Sequence, residues 1–314
     1  MSDGSRLRQV GVGVAIALVL AAAAVAAAQE PVRYFDESGH NVSGAFLEFF
    51  DANGGIAIFG YPITEAVEDD AGQIVQYFQR ARFEWDPAAE TVRLGDLGLA
   101  LRAPDPPQPP EAFSAAERYF PETGHAIGWE FRAFYEANGD RAIFGLPITD
   151  LLIEDDVVVQ YFERARFEWR YPETPTRPVR LTQIGSFVFA QSGLDPRLRR
   201  PVSLPAGRVR RVTALDGQAS VARPVLAPGE AQTVYVRVAD QVGEPVSDAS
   251  VRVEGVAEGR TLFALAVPAA GARGTYQLTL EAIDAAPGTR VVLRITAERD
   301  GLTATTETSF RVWW

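Results

Sequence analysis

Four blocks of sequence occur twice in the same order, and this repetition constrains the fold more than any other feature. Tyr34-Phe-Asp-Glu-Ser-Gly-His40 returns as Tyr119-Phe-Pro-Glu-Thr-Gly-His125, and Phe59-Gly-Tyr-Pro-Ile-Thr64 as Phe144-Gly-Leu-Pro-Ile-Thr149. Gln76-Tyr-Phe-Gln-Arg-Ala-Arg-Phe-Glu-Trp85 returns as Gln160-Tyr-Phe-Glu-Arg-Ala-Arg-Phe-Glu-Trp169 with nine of ten residues unchanged. Val92-Arg-Leu-Gly-Asp-Leu-Gly98 is matched by Val179-Arg-Leu-Thr-Gln-Ile-Gly185. The offset is 85 residues up to Thr64 and 84 over the third block, so the length change falls in the acidic turn between them.

Each copy reads as a helix followed by a small antiparallel sheet. Phe46, Phe49 and Phe50 recur at helical spacing, and Phe131, Phe134 and Tyr135 repeat the stripe. Ser43 is the expected N-cap, and Asn53-Gly54 and Asn138-Gly139 close the helices. Pro62 and Pro147 then force a turn. Strands follow over 74–79, 82–86 and 91–94, rich in β-branched and aromatic residues. A unit of this size has a marginal core of its own, so the copies are expected to pack on each other. Residues 31–102 and 113–190 form the two units. Residues 103–112, with five prolines between Ala103 and Pro110, form a stiff linker, and a second joint spans 191–207.

Composition limits the chemistry. The 314 residues contain no cysteine and no lysine, so all 30 basic residues are arginine. Thiolate nucleophiles, Cys-type zinc sites, Schiff-base lysines and Walker-type phosphate lysines are excluded. The net charge of −11 opposes nucleic-acid binding. The two histidines, His40 and His125, are equivalent positions without a neighbouring partner histidine, and each is expected to cap the turn before its helix. No Gly-x-Ser-x-Gly elbow occurs. The acidic turns Glu68-Asp69-Asp70 and Glu154-Asp155-Asp156 lack the alternating ligand pattern of a calcium loop and read as solvated charge. No metal and no cofactor are expected.

The N-terminus reads as an address. Arg6 and Arg8 precede an apolar run from Val10 to Ala28 that ends in Ala-Ala-Ala, the pattern of a cleavable secretory signal over residues 1–28. An uncleaved membrane anchor is the competing reading of the same run. From residue 208 to 314 the pattern changes to period-two alternation, as in Thr233-Val-Tyr-Val-Arg-Val-Ala239 and Arg290-Val-Val-Leu-Arg-Ile-Thr-Ala297. Gly243-Glu-Pro245, Pro287-Gly288 and Asp300-Gly301 punctuate it, which predicts a β-sandwich.

Phe46-Leu-Glu-Phe-Phe-Asp-Ala-Asn-Gly-Gly55, Phe59-Gly-Tyr-Pro-Ile-Thr-Glu65, Gln76-Tyr-Phe78 and Phe83-Glu-Trp85 resemble LGFP-type repeats of bacterial envelope proteins, over residues 46–98 and 131–185. The resemblance implies attachment of an exported protein to the cell wall and brings no catalytic residues. The copies differ from that pattern in their Tyr-Phe-x-Glu-x-Gly-His lead-in, in phenylalanine for the first leucine, and in Gly139-Asp140 for a Gly-Gly pair. Val236 to Leu280, through Asp240-Gln-Val-Gly-Glu-Pro-Val246 and Gly274-Thr-Tyr-Gln-Leu278, resembles bacterial immunoglobulin-like domains, which implies a spacer or adhesive module. The expected class is α+β: two helix-plus-antiparallel-sheet repeats, then an all-β immunoglobulin-like sandwich.

The expected function is non-catalytic binding of a cell-wall glycan or envelope protein by a secreted or cell-surface chain. A protein-interaction scaffold or adhesin is the alternative, and a glycoside hydrolase acting through two carboxylates is the third. Along the strand, Phe83 and Trp85 share one face while Arg82 and Glu84 share the other, where a ligand can dock. The candidate contacts are therefore Arg82, Glu84, Arg166 and Glu168, with Tyr61 and Trp129 as exposed aromatics.

Overall fold

A computed structural model describes residues 30–169, 179–204, 210–268, 273–281, 283 and 285–313. The expected signal segment, residues 1–28, lies outside them, as does Pro205 of the second joint. The class is α+β, with 18% helix, 41% strand and several antiparallel sheets.

Residues 32–101 open with the hairpin β1 (Val32–Phe35) and β2 (His40–Ser43), followed by the helices α1 (Gly44–Ala52) and α2 (Gly55–Phe59). A four-stranded antiparallel sheet follows in chain order: β3 (Val67–Glu68), β4 (Ile74–Tyr77), β5 (Arg82–Asp86) and β6 (Thr91–Leu94). A short helix, α3 (Leu97–Leu101), ends the segment. The same order recurs over 118–191: β7 (Arg118–Phe120), β8 (His125–Ile127), α4 (Trp129–Ala137), α5 (Asp140–Phe144), β9 (Leu152–Glu154), β10 (Val157–Tyr161), β11 (Arg166–Trp169), β12 (Val179–Leu181) and α6 (Ile184–Gln191).

The phenylalanine stripe of each first helix packs on its sheet. Phe49 and Phe46 meet Phe83 edge-on at 5.1 and 5.9 Å, and Phe134 and Phe131 meet Phe167 edge-on at 5.2 and 5.7 Å. Edge-to-face pairs at this spacing are favoured by the ring quadrupole beyond their burial. The buried rings of both segments belong to one continuous core. Buried amides tie each hairpin to its sheet. Gln76 Nε2 donates to Asn41 O at 2.7 Å and Thr64 O at 2.8 Å, and Gln160 Nε2 does the same to Ala126 O and Thr149 O.

One expected helix cap is absent and two are present. Ser43 holds the N-cap position, but its hydroxyl makes no capping bond; the Gly44 N–H donates to Pro31 O at 3.0 Å across the hairpin. Asn53 and Asn138 close α1 and α4 by donating to Phe49 O and Phe134 O at 2.8 and 2.7 Å.

The helices α3 and α6 cross over. α3 follows the first sheet yet docks on the second segment, where the Gly98 and Leu99 N–H groups donate to Glu163 O at 2.8 and 3.2 Å. α6 follows the second sheet and docks on the first, with Ser186 N donating to Gln79 O at 3.2 Å and Phe189 edge-on to Tyr77 at 5.2 Å. Both contacts need glycine: a Cβ on Gly98 would collide with Phe162 O and one on Gly185 with Phe78 O. The chain after each helix continues on the other segment. Asp105 N donates to Ile148 O at 2.9 Å and Gln108 N to Gly124 O at 2.8 Å, while Val202 N donates to Gly39 O at 2.9 Å. The proline-rich stretch 103–108 thus lies along the second segment rather than standing free of it.

Residues 215–312 form two sheets around one apolar core. One has the order β13 (Leu215–Val221), β15 (Gln232–Asp240), β18 (Thr275–Leu280). The other runs β14 (Val225–Leu226), β20 (Leu302–Val312), β19 (Arg290–Arg299), β16 (Ser250–Ala257), β17 (Arg260–Ala266), with β14 parallel to β20 and the rest antiparallel. Alternation places Val234, Val236 and Val238 inward, opposite Val253, Leu293 and Ile295. Arg210 Nε donates to Tyr34 OH at 2.9 Å and Gln241 Nε2 to Asp36 O at 2.7 Å, fixing this part to the first hairpin.

Candidate functional site

The two histidines are buried where the crossing segments land. His40 Nδ1 lies 3.2 Å from Glu65 Oε1 and its Nε2 lies 3.3 Å from Arg199 O. His125 Nδ1 lies 3.1 Å from Asp150 Oδ1 and its Nε2 lies 3.2 Å from Asp105 O. Neither ring caps the turn before its helix, as the sequence suggested. Each instead bridges a carboxylate after the Pro-Ile-Thr turn to a carbonyl of the incoming strap, a contact between residues far apart in sequence. Both ring nitrogens face acceptors, so only the protonated ring donates two bonds here. Burial alone would raise the Glu65 carboxyl, but bonds from His40 and Asn41 outweigh it and hold it below its ordinary value.

Four of the six residues expected to touch a ligand bond to one another. Arg82 pairs with Glu84 on the same strand, and its guanidinium sits 5.8 Å from the Tyr77 ring centroid. Arg166 pairs with Glu168, donates from Nη2 to Glu154 Oε2 at 2.8 Å and lies 5.3 Å from the Tyr161 ring centroid. Thr182 Oγ1 donates to Glu168 at 2.6 Å. Burial pushes the Glu154 carboxyl up, and Arg166 and Tyr161 more than reverse it, leaving it lowered. Glu154 therefore serves this network, whereas Asp69 of the first acidic turn accepts from its own turn's Ala71 and Gln73 N–H groups at 3.0 Å. Phe83 and Trp85 do share a face, and Arg82 and Glu84 share the other with Val75 and Tyr77. The Tyr77 side of that polar face is roofed by Phe189 of α6. Tyr61 is half-buried, edge-on to Phe35 at 6.2 Å.

Trp129 stands apart. It is 63% exposed, the most open aromatic ring among the described residues, and its φ is +47°. The equivalent position in the first segment is Gly44, with φ +53°, so the backbone shape is shared and only glycine adopts it freely. Holding a bulky residue there costs roughly 1–2 kcal/mol. A second case, Asp140 (φ +52°) where the first segment has Gly55 (φ +53°), is offset by a two-pronged ion pair with Arg118. Trp129 has no such offset in the core. Beside it a pocket of about 190 Å³ is lined by Phe131, Leu151, Val158 and Trp169. Ile153, 77% exposed, sits on the adjoining edge strand β9. The first segment has Gly44 and Ala66 where the second has Trp129 and Leu151, so this apolar surface is present once.

Two clefts are lined by residues of both segments. The larger, about 1130 Å³, runs between the Arg80 turn and α2 on one wall and α4, β12 and α6 on the other. The smaller, about 480 Å³, is built from equivalent residues, including Phe49, Arg93, Asp96 and Arg164. Glu130 lines both the larger cleft and the pocket beside Trp129, so the two are contiguous. Arg80, Gln183 and the exposed Phe187 line the larger cleft. The candidate list from sequence did not contain them; unlike side chains at otherwise matching positions, Gln183 against Asp96, were the available signal.

No family model matches the sequence. A search of curated proteins returns no match. Among solved structures, the chain is similar to the sporulation control protein Spo0M from Bacillus subtilis, at 13% identity and a TM-score of 0.26, covering 33% of this chain and 51% of that one. It is also similar to BhCBM56, at 19% identity and a TM-score of 0.22, covering 31% and 91%. A beta-glucuronidase from Parabacteroides merdae matches at 13% identity and a TM-score of 0.21, covering 32% of this chain and 14% of that one. At these scores the likenesses identify neither a family nor an activity.

Proposed function

We propose that this chain is a non-catalytic exported envelope protein. In this reading residues 31–102 and 113–190 are two copies of an LGFP-like unit that together bind a cell-wall polymer or glycan, and residues 208–314 are an immunoglobulin-like spacer. The observation that carries the reading is Trp129: a broadly exposed indole kept in a left-handed conformation, next to an apolar pocket and a long cleft. Backbone strain at an exposed side chain points to a role outside the core. A flat indole face suits the apolar C–H face of a sugar ring, and the rim residue Glu130 can accept from sugar hydroxyls. The bonding of Glu84 and Glu168 to their own strand arginines favours a binding role over acid–base work. The recurrence of element order supports the duplicated unit, and the inward alternation of β15, β16 and β19 supports the sandwich.

The alternative, a protein-interaction scaffold, draws on β17, an edge strand with Leu262 and Leu265 exposed. The two readings separate in a sedimentation assay of residues 31–314 with purified cell wall. The glycan reading expects co-sedimentation that Trp129→Ala removes. Equal recovery of the Trp129→Ala variant, or no sedimentation of the parent chain, would overturn it.

A further inference from the structure

The two clefts are near copies with one difference in charge. In the smaller, Arg164 of the second segment donates from Nη1 to Ala142 O at the end of α5, and its Nε donates to Asp96 Oδ1 at 3.0 Å. Asp96 is the residue just before α3, so the crossing of that helix delivers the carboxylate. In the larger cleft Arg80 is the equivalent arginine. Its Nη1 donates to Ile56 O and Ala57 O at 3.0 Å each, at the end of α2. The residue delivered by the crossing of α6 is Gln183, which cannot carry charge. Arg80 makes no ion pair among the described residues, and its Nε is buried without a partner. Capping α2 does not account for this, because Arg164 caps α5 in the same way and still has its carboxylate.

Arg80 is partly buried and burial lowers its pKa, so its guanidinium is stabilised by a ligand that supplies the missing charge. The other charges on the cleft are accounted for. Glu168 is held by Arg166 and Thr182. Arg180 lies on the same wall as Glu168, and Glu130 sits at the rim next to Trp129. The cleft therefore offers an aromatic end at Trp129, with Glu130 at its rim, and a cationic interior at Arg80. Planar, two-pronged recognition of a carboxylate is what a guanidinium does best.

We propose that the larger cleft takes a carboxylate-bearing saccharide, with its acid group paired to Arg80 in the place that Asp96 fills for Arg164. The proposal rests on the glycan reading above and adds the charge of the ligand to it. The bond made is a charge-assisted one to the part of the Arg80 guanidinium that lines the cleft. Gln183 marks the cleft that is open to an acid, and Asp96 the one that is closed by its own.

The test is a calorimetric titration of residues 31–314 with a hexamer of galacturonic acid and with its fully methyl-esterified, uncharged form. The acid form is expected to bind at least about tenfold more tightly, the range of a charge-assisted hydrogen bond. Gln183→Asp rebuilds the partner seen in the other cleft and puts a favoured N-cap residue before α6. It is expected to abolish the preference for the acid and leave ester binding unchanged, with melting within about 2 °C of the parent. Asp96→Gln is expected to leave the preference intact. Equal affinity for acid and ester, or a preference that survives Gln183→Asp, overturns the proposal. If both forms bind equally and Trp129→Ala removes both, the glycan reading stands and the charge assignment falls. If neither form binds, the charge assignment falls, and the cell-wall sedimentation of the parent chain decides the glycan reading.

Discussion

Replacing Gly185 with alanine tests whether the crossing helices hold the two repeated segments together. A Cβ at this position collides with Phe78 O and also lies 2.9 and 3.0 Å from Ala81 O and Ala81 N. The obstructing turn cannot retreat. Phe78 N is bonded to Ala81 O, Gln79 N to Tyr61 O and Arg80 N to Phe59 O, at 2.8, 2.9 and 3.0 Å. The helix α6 must move instead, and it then loses the bond from Ser186 N to Gln79 O and the packing of the buried Phe189 on Tyr77. The bond contributes about 1 kcal/mol. Partial exposure of a phenylalanine costs about 2 kcal/mol more. The sum, roughly 3 kcal/mol, corresponds to a fall in melting temperature of about 5 °C for a chain of this size. Thermal melting by circular dichroism measures it, with Gly217→Ala as control, since a Cβ there meets only Thr306 Cγ2 at 3.7 Å and Ala304 Cβ at 3.8 Å. Gly98→Ala is expected to match Gly185→Ala, because its Cβ collides with Phe162 O. A Gly185→Ala variant that melts within about 1 °C of the parent would refute the reasoning, since overpacking against backbone has no cheap escape.

Other outcomes follow from the same geometry. Trp129→Gly relieves a left-handed backbone at an exposed site and is expected to stabilise the fold by about 0.5–1 kcal/mol while removing sugar binding, a trade measurable by melting and titration together. Gln160→Leu strands Ala126 O and Thr149 O in a buried setting and is expected to cost about 2–4 kcal/mol in urea unfolding. Glu65 has a carboxyl pKa held below its unfolded value of 4.5, so the stability it contributes is present above that pH and is lost as the pH falls through the lower folded value. Denaturant midpoints measured between pH 6 and pH 3 are expected to fall less steeply in Glu65→Gln than in the parent.

The helix-then-sheet order of each segment was legible because its signals are local: aromatic spacing in 46–50 and 131–135, proline at 62 and 147, and strand patterning around Phe83 and Phe167. The crossing was not. α3 is five residues long, too short to show periodicity, and nothing local in α6 specifies which sheet it covers. The one trace of it in sequence is the pair Gly98 and Gly185, and a glycine before a short apolar run has several readings. Strands β13 and β17 carry weak local signals for a related reason: β13 is interrupted by Gly217, and β17 is exposed along nearly all its length and lacks alternation. Of the candidate contacts, Trp129 was placed on the surface from sequence, and the i,i+2 spacing on one strand face already made a salt bridge the simple reading of Arg82 with Glu84 and of Arg166 with Glu168. The further bonds to Glu154 and from Thr182 and the cover by Phe189 depend on strand register and on a distant helix, and were not legible. Arg80 and Gln183 were invisible as a site because only the crossing brings them to one cleft.

The most direct measurement of the central claim is ligand-observed saturation-transfer NMR on residues 31–314 mixed with soluble cell-wall glycan fragments. Transfer to the sugar ring protons that disappears in Trp129→Gly, with that variant folded and melting no lower than the parent, is the expected result. Absence of transfer to the parent chain, or undiminished transfer in Trp129→Gly, would contradict it.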